Sequence, residues 1–232
     1  VWVEAVVNPE KGKGIRHKMV TFKTASRNGK PFEDYIKKEG LPGPSNPGCT
    51  TRLKELPINS YLKRELGWSG YWTAIGIRAD EIDRVSDKRI DNKFVYPLID
   101  AGWTKEDVKR ECASWDFDLD LKGEHYGNCT WCWKKSLRKL LTLAKDDEWI
   151  FEFPRRMEYE HETTNLGVGH TGRQIFRNKM TTIDIVQMAR TQAFEPYVDI
   201  DQLDFGFSAP SYDVFLDTGS ACGESCEIGA DE

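Results

Sequence analysis

Two pairs of cysteines in this chain stand at spacings that could do chemistry. Cys129 and Cys132 are three residues apart in HYGNCTWCWKK (125–135), and Cys222 and Cys226 are four apart in ACGESCEIG (221–229). A thiolate is both a soft metal ligand and a nucleophile, and two close pairs supply the four sulfurs of a tetrahedral zinc site or an iron–sulfur cluster. Two plainer readings stay open: thiols packed beside Trp131 and Trp133, or a dithiol that exchanges electrons. A disulfide is disfavoured in a reducing cytosol. A metal centre shared by Cys129, Cys132, Cys222 and Cys226 is the working expectation, because the acidic tail lacks apolar periodicity and metal binding can supply its folding free energy. Gly127 and Gly223 are expected to turn tightly around a small ion. Cys49 is a spare that could cap an anion pocket or replace one ligand, and Cys112 reads as core.

A second set of candidates is cationic. CTTRLK (49–54) carries Arg52 and Lys54, and GIRADEIDR (76–84) carries Arg78 and Arg84. An arginine grips a phosphate or sulfate bidentately and a lysine adds a point charge. The alternative is surface ion pairing, with Arg78 or Arg84 held by Asp80, Glu81 or Asp83 on the same loop. Convergence on one anion site depends on where the intervening elements put these segments.

Those elements read as alternating strands and helices. The nearly continuous apolar run at 1–7 resembles a central parallel strand, and because nothing precedes it, a missing N-terminal segment is expected. Turn-rich residues 8–14 lead to a short apolar segment at 19–22. Pro31 opens a helix that Gly40 closes. Leu53, Ile58, Tyr61, Leu62 and Leu66 suit one helical face, with Pro57 implying a kink or a fresh start. Residues 71–75 read as a buried strand running into GIRADEIDR, a strand edge where ligands bind in open α/β sheets. Residues 94–99 form a weaker strand, and Thr104 with Asp107 caps a helix bearing Val108, Cys112 and Trp115. After Cys132 a helix puts Leu137, Leu140, Leu141 and Ala144 inward, leaving Lys134, Lys135, Arg138 and Lys139 as a solvated face. A last helix begins near Thr181 and carries Ile183, Val186 and Ala189 on its apolar side.

Composition limits the possibilities. A chain of 232 residues, 39% hydrophobic and 31% charged, can bury one sizeable core. It has no run of about 18 apolar residues, the length a membrane span requires, so a soluble cytoplasmic protein is expected. The net charge of −5 argues against an extended nucleic-acid surface and leaves room for a focused anion pocket.

NPGCTTRLKELPI, then a strand, then GIRADEIDR, then GNCTWCWKK, in that order, resembles the phosphoadenosine phosphosulfate (PAPS) reductase family of the adenine nucleotide alpha hydrolase superfamily, especially its phage-type branch. The likeness covers roughly residues 1–193. It implies a doubly wound, mostly parallel α/β sheet with helices on both faces over residues 1–195, lacking its first strand and loop, followed by an irregular acidic tail at 196–232. It also implies an adenine nucleotide or phosphosulfate ligand whose oxyanions are neutralised by Arg52, Lys54, Arg78 and Arg84, and a sulfur group transferred or reduced. Glu81 is expected to fix an arginine. The chain departs from the family twice. The Ser-Gly-Gly loop for the pyrophosphate is absent, so this piece alone is expected to bind nucleotide poorly. In place of a C-terminal Glu-Cys-Gly-x-His motif stands Ala221-Cys222-Gly223, which leaves Cys222 a weak catalytic candidate. The alternative function is a non-catalytic, metal-stabilised module that senses a nucleotide or binds a partner.

Overall fold

The computed structural model describes residues 1–44, 47–166, 175–177 and 180–199. The chain divides into two compact units, one built from residues 1–61 with the described residues from 121 onward, the other from residues 62–120. No helix among the described residues is long and apolar enough to cross a membrane.

The first unit begins with an antiparallel hairpin of β1 (Trp2–Val7) and β2 (Ile15–Val20), in register from Trp2 opposite Val20 to Val7 opposite Ile15. The turn follows from local chemistry: the Asn8 side chain accepts from the Glu10 amide, and Gly12 takes a φ of 79°, an angle that favours glycine. Helix α1 (Lys30–Glu39) starts at Pro31 and stops at Gly40, whose φ is 89°. It buries Tyr35 and Ile36 completely.

These strands correct the expected architecture. Among the described residues, which are rich in helix, there are two sheets of two strands each, one antiparallel and one parallel. Among the described residues there is no doubly wound parallel sheet. The apolar run at 1–7 looked like a strand covered on both faces, but only Ala5 is buried, Val1 and Trp2 are exposed, and Glu4 pairs across the hairpin with Lys18 at 2.6 Å. Trp2 finds its partner in Phe22, ring to ring at 6.3 Å.

Pro57 shapes the next element. It has no amide hydrogen to give the carbonyl four residues back and its ring crowds that carbonyl. The chain accommodates it with a π-helical turn, Thr51–Glu55, closed by the Leu56 amide donating to Thr51 O, before α2 (Leu56–Arg64). The CTTRLK segment thus lies on a widened turn, the kind of helix irregularity that often accompanies function.

Three helices complete this unit: α5 (Leu137–Asp146), α6 (Glu152–His161) and α7 (Thr182–Thr191). Leu137, Leu140, Leu141, Leu143 and Ala144 of α5 pack with Phe151, Ile185 and Ala189 in one core cluster. Two cations expected on a solvated face are instead buried, Lys135 at 5% and Arg138 at 6% exposure. Helix α7 starts, as expected, at Thr181, which forms a capping box with Asp184, but its inward face is Ile185 and Ala189, while Ile183 is exposed. Glu158 of α6 is buried and accepts from the amides of Phe176 at 3.0 Å and Thr182 at 2.7 Å. It anchors the start of α7 and places negative charge at that helix's positive end.

The second unit pairs β3 (Thr73–Ala74) with β4 (Phe94–Val95) in parallel and continues through α3 (Pro97–Asp100) and α4 (Lys105–Cys112). The strand expected at 71–75 is shorter and less buried than its sequence implies. Thr104 and Asp107 form a capping box, as expected. Cys112, expected in the core, is exposed, because this eight-residue helix buries no side chain completely.

Replacing Glu158 by alanine leaves two buried amides without acceptors. The expected cost is about 2–6 kcal/mol, since each unsatisfied buried polar group costs about 1–3 kcal/mol. Urea unfolding followed by circular dichroism measures it.

Candidate functional site

The CTTRLK helix start and the Cys129–Cys132 loop meet in the first unit. Cys49, Thr50, Leu53 and Lys54 line one wall of a cavity of about 750 Å³, and residues 128–133 line another. Helix α1 contributes Phe32, with Arg27 to Gly29 just before it, and α6 contributes Glu152, Phe153 and Arg156, with Trp149 at the rim. The walls are mostly apolar: Trp131 packs against Phe32, Phe153 and Phe176 with ring centroids 5.5, 5.7 and 5.1 Å apart. Trp149 is 82% exposed. A glycine is required where α1 begins, because Gly29 has a φ of 75° and a Cβ there would lie 2.3 Å from the Phe153 ring.

The loop bearing Cys129 and Cys132 has little regular structure, so its carbonyls need donors from elsewhere. The buried Lys135 ammonium donates to His125 O at 2.5 Å and Gly127 O at 2.8 Å. The Arg177 guanidinium donates to Trp133 O at 2.9 Å and Lys135 O at 2.5 Å. Burial pushes the Arg177 pKa down, and the neighbouring Cys132 opposes that shift. The turn residue at positive φ is Asn128, at 58°, whereas Gly127 sits at −65°; the expected role of Gly127 passes to its neighbour. At Gly127 space is the limit, since a Cβ would come 3.0 Å from Glu124 O.

The sequence-derived cations fall into two groups. Lys54 lines the cavity. Arg52, two residues earlier, pairs with Glu39 at 3.9 Å and is not a lining residue. Arg78 and Arg84 belong to the second unit. Arg78 makes a fork with Asp80 at 3.0 and 2.9 Å and reaches Glu81 at 3.3 Å, while Arg84 pairs with the other Glu81 oxygen. Glu81 therefore fixes arginines, as expected. Cys222 and Cys226 lie outside the described residues. Sequence reasoning missed Arg27, Phe32, Trp149, Phe153 and Arg156, which are far apart in the chain and belong to no local motif.

Leading into the Cys129–Cys132 loop, His125 is buried against Tyr126 and Tyr197, and neither ring nitrogen has a hydrogen-bond partner among the described residues. Burial pulls its pKa below the ordinary value; nearby Asp199 and Asp146 oppose this. Asp199 accepts from the Glu124 amide at 2.8 Å, and the Tyr197 amide donates to Thr142 Oγ1 at 2.8 Å. The last described residues are thereby fastened across α5 to the turn preceding the thiol loop.

The site defines an aromatic, thiol-bearing cavity with a cationic rim. Among curated proteins, the chain is 35% identical over 204 residues to the uncharacterized nin region protein ORF290 of Escherichia phage lambda, a match covering 86% of this chain and 64% of that protein. The chain therefore spans less than two thirds of this relative's length. No known family profile and no solved structure matches it.

The His125 geometry carries a pH dependence. Because the folded pKa lies below the unfolded one, the unfolded state takes up the proton first as pH falls, and stability is lost below about pH 6.5. The thermal midpoint is expected to drop between pH 7.5 and 5.5. The drop should be smaller in His125→Phe, with a residual slope from His161, whose pKa burial also lowers.

Proposed function

We propose that this chain is the thiol-bearing part of a PAPS reductase-like, phage-encoded cytoplasmic protein that binds an adenine nucleotide or phosphosulfate and transfers or reduces its sulfur group. One observation carries the reading: the segments CTTRLK and GNCTWCWKK, far apart in sequence, line the same cavity. The proposal rests on these motifs and their meeting, not on a sheet architecture. The cavity's volume is within the usual range for small-molecule sites. A planar base would stack on the aromatic walls formed by Phe32, Trp131 and Phe153. Lys54, Arg27 and Arg156 would meet the oxyanions. Arg52 would have to leave Glu39 to join them.

The thiols have a matching role. Cys49, Cys129 and Cys132 all line this cavity, a donor set that suits a soft ion or an iron–sulfur cluster. Cys222 and Cys226 would complete it. Asp199 is anchored beside the turn before Cys129, and the stretch from there to Cys222 can span about 75 Å when extended. Zinc would make the centre a staple; an iron–sulfur cluster would place electrons beside the sulfur group.

Two measurements test the reading. Titration of adenosine phosphosulfate, PAPS and ATP, followed by tryptophan fluorescence, should show binding that Lys54→Ala weakens by about 1.5–3 kcal/mol, the scale of a charge-assisted hydrogen bond. Because the chain is shorter than its relative, the titration is to be run on a protein of the relative's full length. Unchanged affinity in Lys54→Ala for all three ligands would refute the anion site. Anaerobic purification with elemental analysis and an absorption spectrum should show metal that Cys129→Ser and Cys222→Ser both lose. A metal-free protein with titratable thiols would rule the centre out.

A further inference from the structure

Helices α1 and α6 bring Glu33 beside Glu160 and His161, and one ligand atom from each lies within 4.8 Å of the others. Neighbouring carboxylates alone mean little. The histidine makes the difference. His161 is 9% exposed, and its Nε2 is buried with no hydrogen-bond partner among the described residues, 3.9 Å from Glu160 Oε2. Its Nδ1 is 3.4 Å from Thr164 Oγ1. A ring that carries its proton on Nδ1 donates to that hydroxyl and directs the Nε2 lone pair at the carboxylates. Lone pair and carboxylate oxygens repel unless a cation stands between them.

We propose that Glu33, Glu160 and His161 form a binding site for a divalent transition-metal ion, held by one oxygen from each carboxylate and by His161 Nε2. Mixed imidazole and carboxylate donors suit zinc, cobalt or nickel, whereas calcium and magnesium prefer oxygen alone. Thr164 Oγ1, 3.4 Å from Nδ1, can serve as the outer partner of a ring that binds metal through Nε2. The competing cations are Lys37, 2.6 Å from Glu33, and Arg156, 3.1 Å from Glu33 and 3.2 Å from Glu160. Both have substantially exposed side chains, pairs of this kind contribute little to stability, and both can turn into solvent when a metal enters.

Cobalt(II) added to the metal-stripped 232-residue chain tests this, because its absorption spectrum separates nitrogen and oxygen ligands from thiolates. Weak visible bands of nitrogen and oxygen ligation should appear for one equivalent, separate from any intense sulfur-to-cobalt charge transfer of the thiol centre. Glu160→Gln, an exposed position, should weaken binding by about tenfold or more, since losing even an outer partner commonly costs 10–100-fold. Its circular dichroism and thermal midpoint without metal should match the wild type. His161→Gln should behave likewise, and Cys129→Ser should leave these bands and this affinity unchanged. The proposal is overturned by no cobalt uptake, by equal uptake in Glu160→Gln, or by thiolate bands alone that vanish in Cys129→Ser. The last result would assign the metal to the thiol wall, so this site and the proposed thiol centre stand or fall separately.

Discussion

The arrangement of this molecule depends on how one irregular loop satisfies its carbonyl groups. Residues 127–135 have little regular structure to take up their backbone hydrogen bonds, and a buried carbonyl without a donor is costly. Lys135 and Arg177 meet that need from within, donating to the carbonyls of residues 125, 127, 133 and 135. The buried Lys135 and the half-buried Arg177 thus hold the segment between them on the wall of the cavity. The adjoining helix α5 can then follow directly, with its leucines in the core.

Aromatic packing does the complementary work. Trp131 projects from the clamped loop into Phe32 of α1, Phe153 of α6 and Phe176, so two helices and a loop close around a common apolar patch. Gly29 lets α1 begin against the Phe153 ring. The resulting walls are apolar enough to strengthen any charge placed inside, and the cations available there are Lys54, Arg27 and Arg156. The opening pair of thiols belongs to this environment and is not simply a surface motif.

Arg156 links the two candidate sites. It lines the aromatic cavity and also pairs with Glu33 and Glu160. The Lys37 and Arg156 ion pairs hold the Glu33 carboxyl down to about 2, so Glu33 stays ionised throughout the physiological range. Any event that drew Arg156 toward an oxyanion would leave these carboxylates short of a cation, and any cation bound there would release Arg156. The two candidate sites therefore have Arg156 in common.

Local signals in the sequence determined the features that depend on a few neighbouring residues. Pro31 and Gly40 bounded α1, Thr104 with Asp107 and Thr181 with Asp184 capped their helices, and the leucine spacing of α5 marked its buried face. These are propensity and capping effects acting over a single turn. The partner of an apolar strand is not a local property: residues 1–7 fit a buried parallel strand by composition, yet the turn at residues 8–14 returns the chain as a hairpin with one edge of its apolar run in water. Burial of Lys135 and Arg138 was equally illegible, since a cation enters a core only when distant carbonyls or carboxylates wait for it. The sequence named Cys49, Lys54, Cys129 and Cys132 as reactive types. Only the tertiary structure decided that they line one cavity and that Glu33, Glu160 and His161 meet, because such meetings depend on packing between residues far apart in the chain.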